Sequence, residues 1–316
     1  MKLVPLAAPD AAPPQLAGTV MRARSGFYTV HTDDDGTVEC QLRGRIKQVR
    51  SGTDLVVIGD RVHLTARPDG SGTIEQVEPR RSQFSRRQPG PRGSWKEDVM
   101  VANLDQVLVV FACADPMPHL RMLDRFLVAA EHNEVEAAVV ANKVDLVGMA
   151  AAREIFSGYE MIGYPVLYVS AREGIGVEGF ADRLAGRISV VTGPSGVGKS
   201  TLLNAIQPGL RIETAEVSES LHKGKHTTTS AELHPLVAGG GAVADTPGLR
   251  ELGLWQIPDE ALAWCFPEMR EHLGGCGFND CRHLGEPRCA IRAAVASGGV
   301  SEARYESYRR LLLNED

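Results

Sequence analysis

The chain has 316 residues, 43% hydrophobic and 23% charged, with a formal net charge of −6 and a pI near 5.9, a length and composition that imply two or three domains with real cores. The acidic balance excludes a globally basic nucleic-acid binder, so any basic patch has to be local, and no apolar run reaches the roughly 18 residues of a membrane span. Six cysteines over this length exclude a disulfide scaffold, and the three gathered between 276 and 289 point to metal in a reducing compartment.

Residues 1–17 are Ala/Pro-rich, carry one Lys and lack the sustained apolar core of a signal peptide; they are expected to form the disordered tail of a cytoplasmic protein. From 18 to 80, the runs GFYTVHT, TVECQLRGRI, DLVVIGDRVHLTA and GTIEQVE alternate with DDDG, SGT and PDGSG turns, which predicts a small β-barrel of the oligonucleotide-binding (OB) type. Arg80, Arg81, Arg86, Arg87, Arg92 and Lys96 follow with no acidic residue between them, while Pro89, Gly90, Pro91 and Gly93 exclude a helix. Residues 81–97 therefore read as a basic, flexible linker. Barrel and linker together would suit RNA, with Phe27, Tyr28, Phe84 and Trp95 available to stack on bases; core packing is the plainer role for any one of them.

Between 98 and 255, short apolar runs (DQVLVVFAC, VEAAVVAN, PVLYVSA, RISVVTG, GAVADTPG) are interspersed with helical stretches such as HLRMLDRFLVAAEHN and KSTLLNAI, an α/β pattern with a parallel sheet. The first motif is Asn142-Lys143-Val144-Asp145. The Asp145 carboxylate matches the two donors on the guanine edge, for which adenine has no equivalent. Asn142 would tie neighbouring loops, the Lys143 stem would lie over the purine, and Ser170-Ala171 would offer a backbone N–H to the guanine O6. In isolation such a tetrapeptide is ordinarily a solvated loop; beside a phosphate loop and an S-A strand end it specifies guanine.

That phosphate loop comes next: Gly193, Pro194, Ser195, Gly196, Val197, Gly198, Lys199 and Ser200 satisfy G-x-x-x-x-G-K-[ST] between a strand and a helix that begins around Thr201. Its backbone N–H groups converge on phosphate, Lys199 reaches the β/γ-phosphates, and the Ser200 hydroxyl ligates Mg²⁺. HKGKHTTT lies where a γ-phosphate-sensing loop belongs, with Thr228, or failing it Thr227, as the Mg²⁺ ligand. Asp245-Thr246-Pro247-Gly248 then supplies D-x-x-G: Asp245 holds Mg²⁺ through water and the Gly248 N–H meets the γ-phosphate. Leu249 stands where Ras-like enzymes place a water-orienting Gln, so intrinsic hydrolysis is expected to be slow unless another group acts; His226 is the candidate, with a solvated loop histidine as its plain alternative.

In the last segment, 256–316, Cys276-x₄-Cys281-x-His283-x₅-Cys289 offers three thiolates and an imidazole, a set that suits a closed structural Zn²⁺ site, followed by a helix near SEARYESYRRLLLNE.

The motif order, with NKVD and SA ahead of GPSGVGKS, HTTT and DTPG, is a circular permutation of the ordinary GTPase order, with VEGFADRLAGR joining the old termini. A barrel, a permuted GTPase, a Cys/His module and GKHTTT in the switch resemble the ribosome small subunit-dependent GTPase A family (RsgA, also called YjeQ) over nearly the whole chain after residue 18. The resemblance implies a multidomain protein: an α/β circularly permuted P-loop GTPase with an N-terminal OB-type barrel and a C-terminal zinc-binding α-helical domain. It implies GTP/GDP, Mg²⁺ and one Zn²⁺ as ligands, the 30S subunit and its rRNA as partners that activate hydrolysis late in maturation, and His226 as the group acting in hydrolysis. No membrane association and a monomer are expected. A nucleotide-gated rRNA-binding scaffold with incidental turnover, or an ATPase, are the competing readings.

Overall fold

The computed structural model describes residues 15–44, 56–89, 95–210, 231–245 and 257–315. Period-two burial shapes the N-terminal strands β1 (Gln15–Arg24), β2 (Phe27–Thr32), β3 (Thr37–Leu42), β4 (Arg61–Ala66) and β5 (Gly72–Val77). Their inward residues, among them Val20, Val30, Val62, Leu64 and Ile74, meet in one core. The order β1-β2-β3-β5-β4 closes where β4 pairs back onto β1, with β3 and β5 parallel, which is the expected five-stranded barrel. The barrel starts earlier than the sequence suggests: Gln15, Leu16 and Ala17, read as tail, already pair with β4, Leu16 lying opposite Leu64. Tyr28 and Phe84 are core residues, whereas Phe27 is exposed.

Residues 81–97 depart from the linker expectation. β6 (Gln83–Pro89) and β7 (Trp95–Ala102) form an antiparallel hairpin whose register sets Arg86 across from Asp98 and Arg87 across from Glu97. The sequence hides this pairing because each strand alone reads as a polar, charged segment beside a Pro/Gly stretch, and only the backbone ladder between the two makes them strands. Phe84 anchors one end of it in the main core.

The central sheet contains β8 (Gln106–Ala112), β9 (Glu136–Asn142), β10 (Val166–Tyr168), β11 (Ile188–Thr192), β12 (Glu232–Pro235) and β13 (Ala242–Asp245) in the order β10-β9-β8-β11-β13-β12, parallel except for β12. β8 is buried at every position because helices cover both faces. On one face Val109 and Phe111 pack in the core built by α1 (Leu120–His132) and α2 (Met149–Met161), through Leu123, Phe126 and Phe156. On the other, Leu108 and Val110 share a core with α3 (Val177–Leu184) and α4 (Lys199–Ile206), through Phe180 and Leu202. α3 connects β10 to β11, so the predicted joining helix is where the permutation needs it.

Barrel and sheet are continuous. β1 also pairs with β12, Arg22 opposite Glu232 with an ion pair of 2.5 Å, giving an eleven-stranded sheet. A bulge in β1 between Val20 and Arg22 lets one strand serve both bodies. In the loop before β4 the fully buried Asp60 accepts from Arg80 Nε at 2.7 Å, Arg80 Nη2 at 2.9 Å and the Val57 N–H at 2.9 Å.

The C-terminal module comprises α5 (Asp259–Leu262), 3₁₀ turns at Ala263–Cys265 and Pro267–His272, α6 (Ala290–Ser297) and α7 (Glu302–Leu313), which is capped by the Ser301 hydroxyl. It docks on α1 through Arg304, only 6% exposed, which donates to Asp124 Oδ1 at 2.6 Å and to Glu268 at 2.6 and 3.3 Å. The Arg304 guanidinium also lies 4.6 Å over the Phe266 ring, while Tyr159 and Ser307 donate to the same Asp124 carboxylate.

Candidate nucleotide site and metal centre

Parallel strands present their carboxyl ends on one side, and that is where the separated motifs meet. Asn142 ends β9, is 1% exposed and works as a brace: its Nδ2 donates to the Val197 carbonyl of the phosphate loop at 2.8 Å, and its Oδ1 accepts the Ala171 N–H at 3.2 Å. One side chain therefore ties the N-K-x-D strand end to both the G-x-x-x-x-G-K-S loop and the S-A strand end. Its neighbour Lys143 adopts φ +62° and donates from Nζ to the Asp115 carbonyl. Ser170 is buried and its hydroxyl accepts the Glu173 N–H at 3.1 Å, which fixes the turn after β10.

The phosphate loop curls between β11 and α4. Gly193 lies at φ +136° against the Val110 carbonyl, and Gly198 lies at φ +93° against the Asn142 amide nitrogen, positions where a Cβ would overlap both neighbours. Lys199 starts α4 and its ammonium donates to the Gly193 and Pro194 carbonyls at 2.8 and 2.6 Å, at the mouth of the loop. Asp245 ends β13, the strand beside β11, with His234 Nε2 4.0 Å from its carboxylate.

An open cleft of about 340 Å³ lies between these ends, lined by Asn142, Lys143, Asp145, Ser170, Ala171, Gly198 and Thr201. The structure thus brings together the predicted base-recognition residues and the end of the phosphate loop. Asp115, Leu146 and Arg172 also line it and were not singled out from the sequence. Asp115 and Arg172 each lie just past a predicted strand, the only signal that would have pointed to them. Cys113, at the end of the β8 run, is a packing group: burial, and then the nearby Asp145, push its thiol up to about 11. His226, Thr227, Thr228 and Gly248, with Leu249, lie outside the described residues.

The second constellation is the Cys/His set. The ligand atoms of Cys276, Cys281, His283 and Cys289 all lie within 4.8 Å of one another, and His283 Nδ1 sits 3.5 Å from both the Cys276 and Cys289 sulfurs. A tetrahedral zinc with bonds of about 2.0–2.3 Å needs donors roughly 3.3–3.8 Å apart, so the set fits. Surrounding groups prepare the sulfurs for negative charge: Cys276 Sγ accepts the Ala290 N–H at 3.4 Å, and Cys289 Sγ caps α6 by accepting the Arg292 N–H at 3.5 Å. Burial lowers the pKa of His283, which favours the neutral, ligating ring. Tyr305 and Tyr308 hold the loop by donating to the His283 and Arg282 carbonyls at 2.6 and 2.9 Å. Glu286 closes it, accepting the N–H groups of Arg282, Leu284 and Gly285.

A family model described as RsgA GTPase matches residues 77–255, and one described as RsgA N-terminal domain matches residues 17–74. A protein of Gemmatimonas aurantiaca named small ribosomal subunit biogenesis GTPase RsgA is 48% identical over 296 residues, 93% of this chain and 95% of its own length. The chain belongs to the RsgA GTPase family. A relative of the same name from Moorella thermoacetica is 41% identical, with 94% of this chain and 96% of that one covered. Among solved structures, YjeQ from Thermotoga maritima aligns with a TM-score of 0.78 at 35% identity, covering 95% of this chain and 98% of its own. YloQ, described as a circularly permuted GTPase, aligns with a TM-score of 0.72 at 30% identity over 98% of this chain and 97% of its own. The permuted topology of the RsgA family is therefore also that of this chain. Among the described residues no helix is long and apolar enough to cross a membrane.

Proposed function

We propose that this chain hydrolyses GTP to GDP and phosphate in the cleft at the carboxyl ends of β9, β10 and β11, and that it acts in maturation of the small ribosomal subunit. The observation that carries this reading is the Asn142 brace, which holds the guanine motif against the phosphate loop although the two occur in swapped order. Relatives that cover almost the whole chain bear the name of a small-subunit biogenesis GTPase, and this supports the biological setting.

In this reading Asp145 accepts from the guanine edge, the Lys143 stem and the Ser170-Ala171 strand end complete the base site, and the backbone of Gly193–Ser200 with Lys199 holds the phosphates. Water attacks the γ-phosphorus, the bond from that phosphorus to the β–γ bridging oxygen breaks, and GDP leaves with the electron pair. Ser200 and Thr228, with Asp245 through water, would hold Mg²⁺, which would supply charge neutralisation for the phosphate oxygens. With Leu249 in place of a Gln, His226 orients the water, and contact with the 30S subunit raises the rate. Zinc in the Cys/His set is structural, because four protein donors leave no open position. The chain acts as a monomer in the cytoplasm, with Phe27 on the barrel as a base-stacking platform for rRNA.

The test is multiple-turnover GTP hydrolysis without subunits and with purified 30S, 50S or free rRNA. Stimulation by 30S alone is the expected result, and absence of turnover in every condition leaves a nucleotide-gated scaffold instead. Asp145→Asn should weaken GTP by at least about a hundredfold and turn preference towards xanthosine triphosphate, read by competition binding. Unchanged GTP affinity would disprove the base assignment.

A further inference from the structure

Three adjacent strands carry a row of charge from the barrel to the nucleotide site. Arg22 on β1 lies opposite Glu232 on β12, and Glu232 lies opposite Asp245 on β13. Residues directly opposite on antiparallel strands share one face of the sheet. Their neighbours Leu233 and Ala244 pack into the core on the other face. Arg22 closes on Glu232 at 2.5 Å, and Glu39 on β3 adds to the field it feels. Also on β12, His234 Nε2 stays 4.0 Å from the Asp245 carboxylate, beyond hydrogen-bond reach.

Two carboxylates facing each other across a strand pair repel, and the arrangement persists only with positive charge close by. The Glu232 and Asp245 side chains are 25% and 14% exposed, so water screens their fields only in part. Asp245 is the residue that would hold Mg²⁺ through water, and it ends β13 beside β11, the strand that leads into the phosphate loop. By the ordinary spacing of strands, Glu232 stands about 5 Å from Asp245 and Arg22 about 10 Å. A dication at Asp245 would therefore feel both: attraction from Glu232, and from Arg22 a repulsion that cancels part of it.

We infer that Glu232 and the barrel residue Arg22 are positioning residues of opposite sign for the Mg²⁺ at Asp245, Glu232 strengthening its hold and Arg22 tempering it. The inference rests on the Mg²⁺ role proposed for Asp245 above, and the test separates the two. Binding of a fluorescent, non-hydrolysable GTP analogue to the full chain is titrated with Mg²⁺ at low salt. The wild type is compared with Arg22→Gln, Arg22→Lys, Glu232→Gln and the double variant Arg22→Gln/Glu232→Gln. GDP affinity with the metal chelated is the check that each variant is folded. Arg22→Gln should lower the Mg²⁺ concentration for half-maximal binding by about threefold, and Glu232→Gln should raise it by about threefold. Arg22→Lys keeps the charge and should stay at the wild-type value, and the double variant should return close to it. Both single changes to Gln break the same ion pair. A pair that only fastens barrel to sheet would thus shift both in one direction and leave the double variant as impaired as either. That pattern, or no shift at all, overturns the inference and leaves the Mg²⁺ role of Asp245 standing. Wild-type binding that does not respond to Mg²⁺ overturns both.

Discussion

Gly198 shows how closely single residues are matched to the site. Its left-handed backbone and its approach to Asn142 both exclude a side chain, so Gly198→Ala should cost about 1–3 kcal/mol of stability and displace the Asn142 brace. We expect guanine nucleotide affinity to fall by at least about tenfold, in isothermal titration, with the barrel's circular dichroism unchanged. Glu286 is a second case. Burial would raise its pKa, but the N–H groups of Glu286, Arg282, Gly285 and Leu284 outweigh burial and bring it down to about 2. A carboxyl depressed in the folded state contributes stability that is present above its unfolded pKa and is lost as the pH falls through the folded value. The gap in melting temperature between wild type and Glu286→Gln should therefore be full at pH 7 and close as the pH drops from about 4.5 towards 2. A gap that stays constant over that range would show that the loop is held by shape, not charge. Motif residues such as Asn142, Lys199 and the Cys/His set were legible in the sequence because their chemistry is carried by residue type and short spacing. Asp115, Leu146 and Arg172 were not, since they line the cleft only through the way the loops fold over it.

At the scale of elements, the contact of α7 with α1 depends on one buried cation between two carboxylates. Removing Arg304 leaves Asp124 and Glu268 desolvated and uncompensated, a situation that costs about 3–5 kcal/mol. Arg304→Met should lower the thermal midpoint accordingly, and adding Asp124→Asn should restore part of the loss, because the second change removes one stranded charge. Additive losses in that pair would mean that the two side chains do not act as one unit. The hairpin β6–β7 carries the lesson about reading elements. Its first strand is basic, interrupted by polar residues and close to a Pro/Gly stretch, so local propensity argues for a linker; backbone pairing with β7 and burial of its own Phe84 make it a strand. The same holds for Gln15–Ala17, which only β4 converts from tail to strand. The helices were easier, since α1 and α7 show their apolar spacing and, in α7, the Ser301 cap within their own sequence.

For the molecule as a whole, barrel and GTPase sheet share strand β1, which pairs with β12, so the two should unfold together. Asp60→Ala strands the Arg80 guanidinium and the Val57 N–H, and we expect it to lower the stability of both bodies by about 3–5 kcal/mol in a single denaturant transition. Separate transitions for barrel and sheet would contradict the shared strand. Guanine recognition, the phosphate loop, the permuted motif order and the zinc-type spacing followed from the amino-acid sequence alone, because each depends on residue chemistry over a few neighbouring positions. The tertiary structure alone decided that the swapped strand ends meet across Asn142, that β1 bridges barrel and sheet, and that Arg304 joins α7 to α1. Those contacts join residues far apart in the chain, and their energy exists only once packing has excluded water and set each partner's direction.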